Sequence, residues 1–165
     1  MKLNYRALFK MLTHVDKKGN AKMVDISSKE ESHRIAEAQG SILISKKIMQ
    51  SILEDINKKG DVLTVAKIAG IQAGKKTSEL IPLCHNISMN SIDIDFKLLE
   101  SKCEIECYVI AKCNGLTGVE MEALTALSIA LLTIYDMCKG IDKGMEIKKI
   151  CLIKKSGGKS GEWAK

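Results

Sequence analysis

The chain of 165 residues is short of aromatic side chains: one Trp, three Tyr and two Phe. They are scattered at Tyr5, Phe9, Phe96, Tyr108, Tyr135 and Trp163, which is poor material for a platform on which nucleic-acid bases stack. Long apolar runs are missing as well. The longest uncharged stretch in the apolar region covers 123–135, well short of the ~20 residues a membrane span needs. There is one Pro, no internal repeat and no low-complexity tract. None of the six Cys forms a C-x-x-C pair, so zinc-ribbon and thioredoxin-type motifs have no foothold. The first twenty residues show no sustained apolar core and no small-residue cleavage site, which argues against a secretory signal. The cysteines therefore read as reduced thiols of a cytoplasmic protein, most of them packed as small hydrophobes.

What is present suits one globular domain. With 45% hydrophobic and 28% charged residues, a chain of this length can bury a sizeable core without metal or disulfide staples. The net charge of +6 comes from 24 Lys and two Arg against 20 acids. An excess of Lys fits a solvated surface, and it fits an anionic partner such as a phosphorylated metabolite or a nucleic acid equally well.

Hydrophobic period and turn residues predict the elements. Residues 1–30 read as a charged, partly ordered N-terminal arm, followed by one domain over 31–165. A strand is expected over 34–44. Ser45 is placed to cap a helix reaching Asn57, with Ile48, Met49, Ile52, Leu53 and Ile56 on one stripe. Lys58-Lys59-Gly60 breaks it, and Asp61 caps a second helix over 62–71. A short inserted helix through Glu79 and Leu80 ends at Pro82. Alternation over 91–98, and in the main over 103–113, marks two strands with one buried face, and puts Cys103, Cys107 and Cys113 on the core side. A strong helix over 119–139, stopped by Gly140, is apolar nearly all round and reads as buried, in the core or between subunits. A final strand covers 146–154, and a Gly/Lys-rich segment over 156–165 reads as flexible. The order is that of an α+β, ferredoxin-like β-α-β-β-α-β antiparallel sheet with helices packed on one face. The RNA recognition motif shares that order, but it needs aromatics on its central strands that this chain does not supply.

Several segments imitate functional motifs. Gly70-Ile71-Gln72-Ala73-Gly74-Lys75-Lys76-Thr77 has three residues between its glycines where a phosphate-binding P-loop needs four, and it follows a helix. Gly158-Lys159-Ser160 has Ile153 where the first Gly should stand. His85 follows the rigid turn at Pro82, but His14 and His33 have no ligand-like spacing to it, so no metal triad is read. Asp136 and Lys139 are neighbours on one helix face. They form either an ion pair worth a few tenths of a kcal/mol or an acid–base pair; spacing alone leaves both open.

Eight blocks in order resemble the signature of one family: Leu12-Thr13-His14-Val15-Asp16, Met23-Val24-Asp25, Lys59-Gly60-Asp61-Val62, Ala66-Lys67-Ile68-Ala69-Gly70-Ile71-Gln72-Ala73, Leu80-Ile81-Pro82-Leu83-Cys84-His85, Thr117-Gly118-Val119-Glu120-Met121-Glu122-Ala123-Leu124-Thr125-Ala126, Leu132-Thr133-Ile134-Tyr135-Asp136-Met137-Cys138-Lys139 and Lys155-Ser156-Gly157-Gly158-Lys159-Ser160-Gly161. It is the molybdenum cofactor biosynthesis protein C family, the cyclic pyranopterin monophosphate synthases. The resemblance implies a lyase that converts a 3′,8-cyclised dihydroguanosine triphosphate to cyclic pyranopterin monophosphate and releases pyrophosphate. It implies no required cofactor, with a divalent metal compatible but unsupported by any ligand cluster. It implies a homohexamer built of dimers with intersubunit sites, and neither a nucleic-acid nor a membrane partner. Carried over position by position, Asp136, Lys59, Lys139 and His85 are the implied catalytic residues. Leu83, Cys84, His85, Met121 and Glu122 would line the substrate, with Glu120, Asp25, Arg34 and Lys155 as polar groups around it.

Overall fold

The computed structural model describes residues 14–165 except Lys17, Lys58 and Ser160. The first thirteen residues of the expected arm, and Lys58 of the expected helix break, lie outside the described residues.

Four long strands and one short one form a single antiparallel sheet. They are β1 (Ser32–Leu43), β2 (Ser91–Leu99), β3 (Glu104–Gly115), β4 (Glu146–Ser156) and β5 (Trp163–Ala164), in spatial order β2-β3-β1-β4-β5. With α2 (Val62–Lys75) between β1 and β2, and α4 (Glu120–Cys138) between β3 and β4, this is the expected split β-α-β arrangement. Two smaller helices, α1 (Lys46–Leu53) and α3 (Thr77–Leu80), flank α2. The alternation is realised in β3: Ile105, Cys107, Val109, Ala111 and Cys113 are buried, while the residues between them are half-buried on the open face. There Tyr108 accepts a hydrogen bond from Gln39 and donates one to Glu106, so it is part of a polar ladder across the strands.

Five local details depart from expectation. Helix α1 stops at Leu53, not at Asn57. Asp55 takes φ +50°, and the Asp55 and Ile56 N–H groups return to the Ile52 and Ser51 carbonyls, the Schellman closure that satisfies the last orphan acceptors. Ser45 holds the N-cap position, but its hydroxyl makes no capping bond and is buried without a partner. Asp61 caps α2 as expected, accepting from the Leu63 and Thr64 N–H groups at 3.1 and 3.0 Å. That helix runs a full turn further, to Lys75. Cys103 is half-buried in the left-handed turn before β3, at φ +49°, and not in the core with Cys107 and Cys113. Finally, Gly140 supplies no left-handed stop to α4. Lys139 closes the helix in right-handed geometry, and the Asp136 carbonyl near that end accepts from Lys59 Nζ at 2.7 Å.

Helix α4 is the one described helix long and apolar enough to cross a membrane by composition. Its apolar side instead fills the core through Ala123, Ala126, Leu127, Ala130, Leu131 and Ile134. Its opposite side leaves Met121, Leu132 and Asp136 exposed. Helix α2 packs on it through Ala66, Gly70, Ala73 and Gly74, so the glycines of the apparent P-loop are packing glycines. A methyl on Gly70 would lie 2.5 Å from Ile94 Cδ1 and 2.8 Å from the Ala126 carbonyl oxygen.

That contact sets a prediction. Gly70→Ala gains ~1 kcal/mol of helix propensity, against an overpacking cost of about 1–3 kcal/mol. Because one colliding atom is backbone, the cost wins. Urea unfolding should show a net loss of up to about 2 kcal/mol, and a raised midpoint would show that the two helices can part without cost.

Candidate active site

The sequence candidates fall into two groups, one at each end of α4. The N-terminal group forms around the loop that follows Pro82. The Cys84 N–H bonds back to the Ile81 carbonyl at 3.0 Å, and His85 Nε2–H donates to the Val24 carbonyl at 2.7 Å. That bond fixes the imidazole and ties the N-terminal segment onto the loop; since its acceptor is a carbonyl, the proton is on Nε2. Leu83, Cys84, His85, Glu120, Met121 and Glu122 all line one cavity of about 280 Å³. Asp25 is not among its walls, although Val24 and Ile26 are. The Asp25 carboxylate is exposed and accepts from the Ser27 N–H and hydroxyl, which hold it below the usual carboxylate range.

Glu122 is the unusual group here. It is 4% exposed in the first turn of α4. Burial pushes its carboxyl from an ordinary 4.5 up to about 6, its own N–H opposes the rise, and the charge of Glu120 adds to it. A carboxyl with that affinity can take and give a proton close to neutral pH. Burial, and then the charge of Glu122, raise the Cys84 thiol, so it stays protonated and is no activated nucleophile.

A larger cavity, about 900 Å³, adjoins the first and shares Lys29, Thr117, Gly118 and Glu120 with it. Arg34, Lys155 and Lys159 bring further cationic side chains to its wall. Arg34 is almost buried, and its Nε donates to the Gly115 carbonyl at 3.2 Å. The closing segment, expected to be flexible, lies against it. Gly157 and Gly158 have φ of +95° and +73°, and methyls there would meet the His33 carbonyl oxygen at 2.1 Å and Arg34 Nη1 at 1.5 Å. At Gly157 the obstacle is backbone and only glycine fits, whereas at Gly158 a side chain would have to push the end of Arg34 aside. Beyond them β5 pairs with β4, Lys155 facing Trp163.

The second group sits at the C-terminal end of α4. Lys139 Nζ lies 2.7 Å from Asp136 Oδ1, and Lys59 Nζ lies 3.1 Å from Asp136 Oδ2. The pairing that spacing left open is therefore a three-membered cluster, with Lys59 arriving from the loop before α2. Hydrogen bonds from Lys139 and then Lys59 hold the Asp136 carboxyl below its usual range, and Asp136 in turn raises Lys139. All three side chains are about half exposed, at 46%, 59% and 51% for Lys59, Asp136 and Lys139. Glu122 and Asp136 are fourteen residues apart on α4, a separation of ~21 Å at 1.5 Å per residue. One chain thus does not bring the two groups into one pocket.

Among the described residues, no three His, Cys, Asp or Glu side chains are placed to hold a metal ion. Sequence reasoning missed Lys29, Thr117 and Gly118. The last two stand inside a quoted block, whereas nothing distinguishes Lys29 from the other lysines before the chain is folded.

The chain was compared with known proteins. The sequence model of the MoaC family matches residues 23–158. The cyclic pyranopterin monophosphate synthase of Peptoclostridium acidaminophilum is 52% identical over 151 residues, covering 92% of this chain and 95% of that protein. Synthases of the same description from Desulforamulus reducens (53% over 152 residues, 92% of each chain) and Clostridium botulinum (55% over 150 residues, 91% and 94%) are similar to the same extent.

The buried carboxyl sets a stability prediction. Its folded-state affinity is raised, so the stability it leaves intact below pH 4.5 is lost as pH rises through about 6. A rise from 4.5 to about 6 corresponds to ~2 kcal/mol. Urea unfolding at fixed protein concentration should therefore show Glu122→Gln gaining up to ~2 kcal/mol on the parent protein between pH 4 and pH 8. A constant difference across that range would place the carboxyl in water.

The glycine pair sets another. Gly158→Ala should displace Arg34 and collapse activity to a level near that of Arg34→Ala, with the sheet intact by circular dichroism. Full activity in Gly158→Ala would show that Arg34 does not depend on its glycine cover.

Proposed function

The chain belongs to the MoaC family, and from that membership we propose that it is a cyclic pyranopterin monophosphate synthase of molybdenum cofactor biosynthesis. It converts a 3′,8-cyclised dihydroguanosine triphosphate to cyclic pyranopterin monophosphate and pyrophosphate. The observation that carries the reading to this chain's own residues is the convergence of Leu83, Cys84, His85, Glu120, Met121 and Glu122 on one cavity, beside a second cavity lined by Lys29, Arg34, Lys155 and Lys159.

The chemistry suits these groups. Opening a purine-derived ring and closing a pterin takes several proton transfers, each worth typically 10²–10⁴-fold when a positioned side chain performs it. Glu122 can exchange protons near neutral pH, and His85, with Nε2 committed to Val24, presents Nδ1 as the remaining imidazole nitrogen. Cyclising a phosphate expels pyrophosphate and builds charge on the leaving group. Cations held at the cavity wall stabilise that charge. Asp136, ionised between two lysines, supplies a fixed negative charge and keeps both ammonium groups oriented. The proposal includes no required cofactor and a cytoplasmic location.

The separation along α4 leads to the assembly. Two copies of α4 paired antiparallel about a two-fold axis would bring Glu122 of one chain toward Asp136 of the other, making two composite sites per dimer. The exposed stripe with Met121 and Leu132 supplies apolar surface for such a contact. Dimers of this kind are the units of the hexamer that we propose.

The deciding assay supplies purified protein with the cyclised triphosphate and measures pyrophosphate, and a fluorescent pterin after oxidation. Product no higher than in a heat-killed control would remove the enzyme reading. Asp136→Asn and Lys139→Ala should each abolish turnover with the fold intact; activity within about threefold of the parent would reduce the cluster to surface ion pairs. Mixing inactive Glu122→Ala and Asp136→Asn proteins under subunit exchange should restore activity, because a mixed dimer has one undamaged site. A mixture that stays inactive after exchange is verified by mass would confine the site to one chain.

A further inference from the structure

The loop between α1 and α2 carries Lys59, and besides Lys59 itself the Asn57 side chain ties that loop to α4. Asn57 is half-buried. Its Oδ1 accepts from the Lys59 N–H at 3.0 Å, and its Nδ2 donates to Cys138 Sγ at 3.8 Å. Its carbonyl accepts from the Gly60 N–H at 2.9 Å, where the chain turns through φ +89° toward the Asp61 cap of α2. Cys138 is fully buried, is the last residue of α4, and stands two positions beyond Asp136. The amide therefore joins the backbone that bears Lys59 to the helix end that bears Lys59's partner. The backbone N–H at Oδ1 also settles which amide atom faces which neighbour.

Lys59 needs such an anchor. A lysine stem is long and loses much rotamer freedom when it is fixed. Nζ nevertheless meets both the Asp136 carbonyl and its carboxylate, which requires the Cα of Lys59 to stay within a narrow region. We propose that Asn57 is a positioning residue: its side-chain amide, held between the Lys59 N–H and the Cys138 sulfur, aims Lys59 at Asp136. It acts through Lys59 and touches no reacting group. The catalytic consequence rests on the reading given under Proposed function, whereas the geometric consequence does not.

The test separates the two. Native parent protein, Asn57→Ala, Asn57→Asp and Cys138→Ala are treated with an amine-selective acylating reagent, and modification rates at Lys59 and Lys139 are read by peptide mass spectrometry. Turnover of the cyclised triphosphate and the urea midpoint are measured alongside. In Asn57→Ala, Lys59 should acylate severalfold faster while Lys139, still paired to Asp136, does not change. kcat should fall by roughly tenfold or more, as misplacement of a reacting group predicts, with the urea midpoint unmoved. Asn57→Asp keeps the acceptor for the Lys59 N–H and should recover most of both properties. Cys138→Ala removes the sulfur from the helix side and should raise Lys59 reactivity by a smaller factor. Unchanged Lys59 reactivity in Asn57→Ala overturns the proposal, and so does a rise at both lysines together with a lowered midpoint. If Asn57→Ala does not fold, unchanged Lys59 reactivity in Cys138→Ala overturns it equally. A parent protein without turnover would defeat the functional reading alone, since the labelling still reports the clamp.

Discussion

At Gly70 the backbone of α2 approaches α4 so closely that a single methyl group would collide with it, and at Gly74 one would press on it; both ends of the site inherit their placement from that contact. Close approach seats α4 against α2 and the sheet together, and Ala126, Leu127, Ala130, Leu131 and Ile134 lose all contact with water. Interiors packed at this density do not deform continuously. The directions of Glu122 at one end and of Asp136 and Lys139 at the other are therefore fixed by the same burial. The Ala- and Gly-rich faces that could pass for weak core are the condition for a rigid helix.

The two ends differ in electrostatic character. Glu122 is buried near Cys84 and Cys113, so its proton affinity is set first by the loss of water, with the charge of Glu120 adding to it. Asp136 is more than half exposed and its affinity is set by two cations. The first is a group able to change protonation near neutral pH; the second is a permanently charged one. Burial and pairing push two carboxyls of similar intrinsic acidity apart, which is how one protein provides both proton traffic and fixed charge. The nearby glycine pair serves the same end by a steric route. Gly157 and Gly158 let the chain lie directly on Arg34, restricting a guanidinium that would otherwise have many rotamers.

Most of the architecture was legible in the sequence. The alternations of β2 and β3, the Asp61 cap, the stop at Pro82 and the long apolar helix appear where local chemistry puts them. These features depend on neighbours within a few residues, and a linear pattern records such neighbours faithfully. Element ends were less legible. The stripe of α1 continues through Ile56, yet the helix closes at Leu53, because Asp55 can take the left-handed turn and the chain must leave for α2. Short β5 carries no pattern of its own and exists only because β4 offers it an edge.

The sequence by itself determined which chemical groups are available: the family blocks, the Asp136–Lys139 spacing, the His85 turn and the acids opening α4. Tertiary structure alone decided which of them meet. It brings Lys59 across 77 positions to Asp136 and ties His85 to Val24 across 61. It places Lys29 on both cavities and leaves Asp25 outside them. The reason is physical. Period and capping are governed by the backbone within one turn or one pleat, whereas a contact between distant residues depends on the path of the whole chain and the reach of a flexible side chain, and neither is written in the spacing of residues along the sequence.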